Sequence, residues 1–259
     1  GRLTLNYFQQ GVGFERKADD SPVTIADRAA EELLRRRIAE AFPDDAILGE
    51  EFGEHAGASS CRWILDPIDG TKSFISGVPL YGTMVGVEVD GRAEIGVVYV
   101  PGLDEGVYAA RGQGAWRFRS GQPPERAHVS NCPRLADGVF VTSQVSTFRE
   151  RGAQAAYDQL EAAAYVTRTW GDCYGYLLVA TGRAAAMVDP IMNVWDAAAV
   201  APIMEEAGGA FTDRQGNPTL HSGDGIGPNP LVLEEVLAIC RPHAQRGDSR
   251  ERGTHKTGE

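Results

Sequence analysis

The sequence predicts a mixed α/β (α+β) fold in two halves, with an antiparallel sheet in the N-terminal half and a mixed α/β C-terminal half. Three observations carry this expectation. From Tyr81 to Ala110 the residues follow a β pattern, with Val85, Val87 and Val89 alternating before a turn at Asp90-Gly91. Beyond Asn131-Cys132-Pro133, strand-like and helix-like segments alternate instead. A chain of 259 residues, 42% hydrophobic, is also long enough to bury a substantial core in one large domain or two smaller ones. The change of pattern divides the chain into an N-terminal α+β domain, 1–132, and a C-terminal α/β domain, 133–242. A polar, aperiodic tail, 243–259, is expected to be disordered.

Taken in order, Gly11 to Ser21 is polar and loop-like. Thr24 to Ala41 reads as a helix, because Ile25, Ala29, Leu33 and Ile38 recur at helical spacing and Pro43 ends the run. Asp27 falls in its first turn. Ala46-Ile47-Leu48 and Trp63-Ile64-Leu65 are short apolar strands, and Gly70 opens a short helix. The meander follows, through Ile95 to Tyr99 and Gly106 to Ala109. Gly112-Gln113-Gly114 has part of a dinucleotide fingerprint but lacks the third glycine and the strand-to-helix setting, so it is read as a hairpin turn. In the second half the expected elements are a strand at Val139 to Thr142, a helix within Arg149 to Ala163 and a strand at Tyr165 to Thr167. A helix from about Cys173 and a strand near Ala184 to Val188 come next. A single helix from Trp195 to Ala207 is then expected, with Ala198, Ala201, Met204 and Ala207 on one stripe and Gly208-Gly209 as its stop.

The chemistry lies in three acidic islands, Gly49-Glu50-Glu51, Asp66-Pro67-Ile68-Asp69-Gly70-Thr71 and Trp195-Asp196. Apolar strands lead into the first two. Proline restricts the backbone between Asp66 and Asp69, and Gly70-Thr71 follow where a turn exposes N–H groups. Carboxylates without histidine or cysteine favour hard cations such as Mg2+ over Zn2+. Two such cations about 3.5–4 Å apart activate a water and clamp both oxygens of an in-line displacement, which implies metal-assisted phosphate ester hydrolysis. Each island also has a plainer reading: a solvated Glu pair, an ordinary turn, and a helix-capping Asp196.

In combination and order, these motifs resemble the inositol monophosphatase-like family of metal-dependent phosphatases. The resemblance runs from Lys17 to about Gly209. It rests on Pro22-Val23-Thr24-Ile25-Ala26-Asp27, the Glu50-Glu51 pair, the Asp66 to Thr71 signature, and Trp195-Asp196-Ala197-Ala198-Ala199 followed by Glu206-Ala207-Gly208-Gly209. It implies a layered αβαβα sugar-phosphatase sandwich, two to three Mg2+ per active site and a homodimer. Glu50, Asp66 and the Ile68 carbonyl match the family's first metal site, and Asp66, Asp69 and Asp196 match the second, with Asp66 bridging. Glu50 also matches the ligand of a third, weaker Mg2+. Glu50 and Thr71 match the groups that orient the attacking water, and the Gly70 and Thr71 amides match those that hold phosphate. Lys17 and Asp27 match positions close to the site, where a surface Lys and a capping Asp are the competing readings, and Glu51 adds local negative charge that orients its neighbour. Trp195 reads as a packing residue beside Asp196. The polar segment from Gly11 resembles the family's mobile loop, and Leu3 to Phe8 resembles the end of a longer helix, which implies an upstream segment.

Arg168-Thr169-Trp170-Gly171-Asp172-Cys173-Tyr174-Gly175-Tyr176 and Asp189-Pro190-Ile191-Met192-Asn193 resemble the histidinol-phosphate phosphatase branch. Arg168, Asp172 and Asp189 are the implied substrate contacts, since acidic groups suit the cationic histidinol better than neutral inositol. Asp172 as a helix N-cap is the alternative. Three functions follow: a histidinol-phosphate phosphatase in histidine biosynthesis, an inositol or broad sugar phosphatase, or a non-catalytic phosphate-binding regulatory protein. A formal net charge of −11 argues against nucleic acid or an anionic membrane as the partner. Cys61, Cys132, Cys173 and Cys240 are too far apart for a zinc motif or a small disulfide framework, which suits reduced thiols in the cytoplasm. The five histidines are scattered. No run approaches the roughly 20 apolar residues of a membrane span.

Overall fold

The computed structural model describes residues 1–17 and 21–243. Apart from His243, the expected disordered tail lies outside the described residues. A short 3-10 helix, Arg2–Asn6, precedes strands β1 (Phe14–Arg16) and β2 (Pro22–Thr24), which pair antiparallel. The segment from Gly11 to Ser21 is therefore partly a hairpin strand where a loop was expected. Helix α1 (Ile25–Ala41) begins with a capping box: the Thr24 N–H donates to Asp27 Oδ2 at 2.8 Å, and the Thr24 hydroxyl accepts from the Ala26 N–H. Its buried face carries Ala26, Asp27, Ala30, Glu31 and Ile38, while Ile25 is 61% exposed. Of the apolar stripe read from the sequence, Ile38 is buried and Ala29 and Leu33 are half-buried, whereas Ile25 faces outward and two carboxylates share the inward face.

Strands β3 (Ala46–Gly49), β4 (Gly53–His55) and β5 (Cys61–Asp69) follow, then the short helix α2 (Thr71–Ile75). The meander comprises β6 (Gly82–Val89), β7 (Arg92–Val100), β8 (Glu105–Ala110), β9 (Gly114–Arg119) and β10 (Glu125–Arg126). Together with β3, β4 and β5 these make one eight-stranded sheet in the order β10-β9-β8-β7-β6-β5-β3-β4. Only the β3–β5 pair in this sheet is parallel, and its register sets Gly49 opposite Leu65, so Glu50 and Asp66 emerge side by side.

The second half contains β11 (Val139–Val141), α3 (Val145–Glu150), α4 (Gln154–Ala163), β12 (Val166–Arg168), α5 (Cys173–Ala180) and β13 (Ala186–Asp189). Helices α6 (Val194–Ala198) and α7 (Val200–Glu206), strand β14 (Gly225–Pro228) and helix α8 (Leu233–Cys240) complete it. Its sheet has the order β12-β11-β13-β14, with β14 antiparallel to β13 and the other pairs parallel. The single helix expected from Trp195 to Ala207 is broken at Ala199. Pro202 supplies no N–H to the Ala198 carbonyl one turn earlier, so the hydrogen-bond ladder lapses there. We propose residue 132/133 as the domain boundary on the change of sheet alone. The largest apolar cluster nevertheless runs across it, from Val98 and Val107 to Leu177 and Met204. No helix among the described residues is long and apolar enough to cross a membrane.

The two halves meet where α6 packs on β5 and β6, and α7 on β7 and β8. Two glycines permit that approach. A Cβ on Gly86 would lie 2.7 Å from the Ala198 Cβ, and one on Gly96 would lie 1.9 Å from the Ala199 carbonyl oxygen. The helix junction therefore rests on bare sheet backbone. Gly96→Ala should lower the urea midpoint, at a cost of about 1–3 kcal/mol for overpacking, and reduce turnover by moving α6. An unchanged midpoint would show that the junction has slack.

Candidate active site

Asp66 and Asp69 are three residues apart, an odd spacing that in a regular strand would place them on opposite faces. The ladder to β6 corrects this. Asp66 pairs with Met84 and Asp69 with Gly82, so β5 carries one extra residue, and the Pro67 carbonyl accepts from the Thr83 hydroxyl at 2.8 Å. A bulge of one residue reverses the alternation, and the two carboxylates reach the same side. Helix α6 then brings in Asp196, and one carboxylate oxygen from each of Asp66, Asp69 and Asp196 lies within 4.8 Å of the others. Asp196 combines two of its readings: it accepts the Asn193 N–H at 2.7 Å as part of a capping box and also joins the acidic cluster.

Burial and mutual repulsion act together on this cluster. Asp66 is 2% exposed, and its Oδ1 has no hydrogen-bond partner. Burial, then the charges of Glu50, Asp69 and Asp196, raise its pKa well above the usual carboxylate value. Burial and the charges of Asp172 and Asp196 do the same for Asp69, although the Cys173 N–H donates to its Oδ2. Asp196 is pushed up to about 6, chiefly by burial. An all-oxygen cluster with an unpartnered buried oxygen fits a hard divalent cation, whose charge would offset each of these costs.

Glu50 lines the same cleft just outside the tight triad, and its backbone N–H donates to the Leu65 carbonyl at 3.1 Å. Burial raises its pKa to about 7, against the hydrogen bond it accepts from Lys17. Lys17 Nζ donates to Glu50 at 2.8 Å and to Glu51 at 2.7 Å, so the three residues form one ionic group beside the triad. Glu31, which the sequence reading passed over, is fully buried and accepts the Glu51 and Phe52 N–H groups at 2.8 and 3.2 Å. It holds the turn that presents Glu50. Its only sequence signal was its place four residues after Asp27 on the same helix face.

Gly70 adopts a left-handed conformation (φ 80°) that ends β5 and starts α2. The Thr71 hydroxyl donates to the Ile68 carbonyl at 3.0 Å and lies 3.4 Å from Asp27 Oδ1. These groups border a cleft of about 470 Å³ whose lining also includes Asp172, Asp189 and Asp196. Asp172 precedes α5 but makes no side-chain capping bond. Its backbone has φ 53° and ψ −155°, a region that non-glycine residues rarely occupy, at a cost of about 1–3 kcal/mol. Its carboxylate lies so close to the turn at Gly70 that a Cβ there would be 2.8 Å from Oδ2. Asp189, 5% exposed, has its pKa raised to about 7 by burial. Arg168 is not among the residues lining the cleft: its exposed side chain lies over the Trp170 ring at 5.7 Å and donates to the Thr167 carbonyl.

Residues 2–245 match the model of the inositol monophosphatase family. A histidinol-phosphatase of Chlorobaculum parvum is 47% identical over 227 residues, covering 87% of this chain and 86% of that protein. One from Streptomyces coelicolor is 38% identical over 227 residues, covering 86% and 85%. Among solved structures, the IMPase of Thermotoga maritima superposes with a TM-score of 0.82 at 30% identity, covering 93% of this chain and 92% of that one. The chain belongs to the inositol monophosphatase family, which is metal-dependent.

The geometry distinguishes residues that would hold the cation from those that would act beside it. Asp66→Asn should abolish the heat of Mg2+ binding in a calorimetric titration, because it removes charge at the centre of the cluster. Thr71→Ala should retain binding while turnover falls by about 10²-fold, the usual scale for losing one positioned group. Wild-type Mg2+ affinity in the Asp66 variant would show that the cation is held elsewhere.

Proposed function

We propose that this phosphatase hydrolyses L-histidinol phosphate to L-histidinol and phosphate in histidine biosynthesis. The observation that carries the reading is a pair of acids, the half-buried Asp172 and the buried Asp189, lining the cleft that leads from the acidic triad. The 47% identity to a histidinol-phosphatase over most of both chains supports it. Every ligand position of the metal motif is filled by an acid or a carbonyl, which disfavours a purely regulatory protein.

In this proposal Glu50, Asp66, Asp69, Asp196 and the Ile68 carbonyl would hold two to three Mg2+, which when bound would lower the pKa of a water and offset charge on the phosphate. The amides of Gly70 and Thr71 position the phosphate oxygens. Glu50 and Thr71 orient the attacking water. The Thr71 hydroxyl has lone pairs for a water proton and Asp27 Oδ1 behind it at 3.4 Å to receive one. The water oxygen forms a new P–O bond as the ester P–O bond breaks, and the water's two hydrogens end on phosphate and on the departing alcohol. Asp172 and Asp189 face that alcohol and pair with its ammonium and imidazole groups. Arg168 would have to leave Trp170 to take part. We place the enzyme in the cytoplasm as a homodimer.

Turnover should require Mg2+, cease with chelator and fall when Ca2+ is added, because the larger, more loosely coordinated ion misplaces the water. The enzyme should prefer histidinol phosphate to inositol 1-phosphate by kcat/KM. Asp172→Asn should shrink that preference about tenfold or more, since hydrogen bonds to charged groups contribute about 1.5–3 kcal/mol. A wild-type preference for inositol 1-phosphate would overturn the substrate assignment and leave the phosphatase assignment standing.

A further inference from the structure

We infer that Ser143 is the positioning residue that sets substrate preference, by holding Asp172 and Asp189 together on the leaving-group wall of the cleft. This rests on the phosphate-ester reading of the site. Ser143 lies between the end of β11 and the start of α3 and bonds both acids at once. Its backbone N–H donates to Asp189 Oδ1 at 3.1 Å, and its hydroxyl oxygen accepts the Asp172 N–H at 2.8 Å. Gly171 closes the contact from the other side: a Cβ there would come within 2.1 Å of Ser143 Cα and 2.3 Å of its nitrogen. Asp172 is thus fixed by one hydrogen bond to Ser143 and by the packing of its neighbour Gly171 on the same residue.

That fixation is what its backbone needs. A residue at φ 53° and ψ −155° relaxes toward common conformations unless its surroundings over-determine it. Without the Ser143 hydroxyl, the Asp172 N–H loses its acceptor and the chain is free to turn the carboxylate out of the cleft. The same hydroxyl keeps its own proton available to the two acids. Burial raises the pKa of both Asp172 and Asp189, and hydrogen bonding to Ser143 lowers them, which favours the charged pair.

The one counter-charge among the described residues that reaches the pair is that of Lys72, which lowers the Asp172 pKa without contacting its carboxylate. Among the described residues neither Asp172 nor Asp189 forms an ion pair. Lys72, the one cationic side chain lining the cleft, donates to Gln144 at 2.6 Å. Two carboxylates without an ion-pair partner, Asp189 buried and Asp172 half-buried, select an alcohol that brings its own positive charge. Ser143 fixes their separation without touching the substrate phosphate or the acidic triad.

The test is the ratio of kcat/KM for L-histidinol phosphate to that for glycerol 2-phosphate, measured in a double-mutant cycle. Ser143→Ala should lower the ratio about tenfold, chiefly through KM for histidinol phosphate, with the Mg2+ concentration for half-maximal rate unmoved. In an Asp172→Asn background the same change should lower the ratio little further, because the serine acts through Asp172. An unchanged ratio, equal losses on both esters, or losses that multiply in the double variant would overturn the inference. Should the wild-type enzyme not prefer histidinol phosphate, the substrate reading fails by itself. The cycle is then run with whichever ester the wild type prefers, and coupling or independence of the two substitutions decides the role of Ser143.

Discussion

The repulsion among Asp66, Asp69 and Asp196 is the constraint on which the rest of the structure depends. Their oxygens lie within 4.8 Å of one another. At that distance two unit charges in an environment of effective dielectric about 20 repel by roughly 3–4 kcal/mol. A fold that assembles such a cluster away from water must restrain each member separately. The bulge in β5 restrains the first two, the capping box at Asn193 restrains the third, and a divalent cation would turn the remaining cost into binding energy. The acids surrounding the triad follow the same plan. Glu50 is held by Lys17, its turn is held by Glu31, and Asp172 and Asp189 are held by Ser143.

The geometry also explains why the site needs both halves of the chain. The parallel pairing of β3 with β5 sets Glu50 beside Asp66, which the first half accomplishes alone. Asp196 arrives only because α6 and α7 settle on Gly86 and Gly96, where the sheet presents no side chains. The residues proposed to face the alcohol, from Ser143 to Asp189, come wholly from the second half, and they join the triad there through the Cys173 N–H, which donates to Asp69 Oδ2. The two sheets share one core.

The islands and most elements were legible because their signals are local: apolar runs, turn glycines and carboxylates at fixed spacing. The failures were failures of context. The inward place of Glu31 on α1 was missed because its partners, the N–H groups of the Glu51–Phe52 turn, lie 20 and 21 residues away, which periodicity does not report. The long helix after Trp195 was overcalled because the apolar stripe outweighed Pro202. Helix α8 and strand β14 went unassigned, being short segments whose apolar faces match only after folding. Ser143 offered no signal, since an isolated serine after a strand becomes informative only when its two partners, 29 and 46 residues away, are seen beside it.

Whether the carboxylates converge on a cation is most directly settled by diffraction from crystals soaked in Mn2+, an anomalous scatterer that accepts the same oxygen ligands as Mg2+. This account predicts an anomalous peak among Asp66, Asp69 and Asp196, and a second peak reached by both Asp66 and Glu50. A site without manganese, or ions bound only away from Asp66, would contradict it.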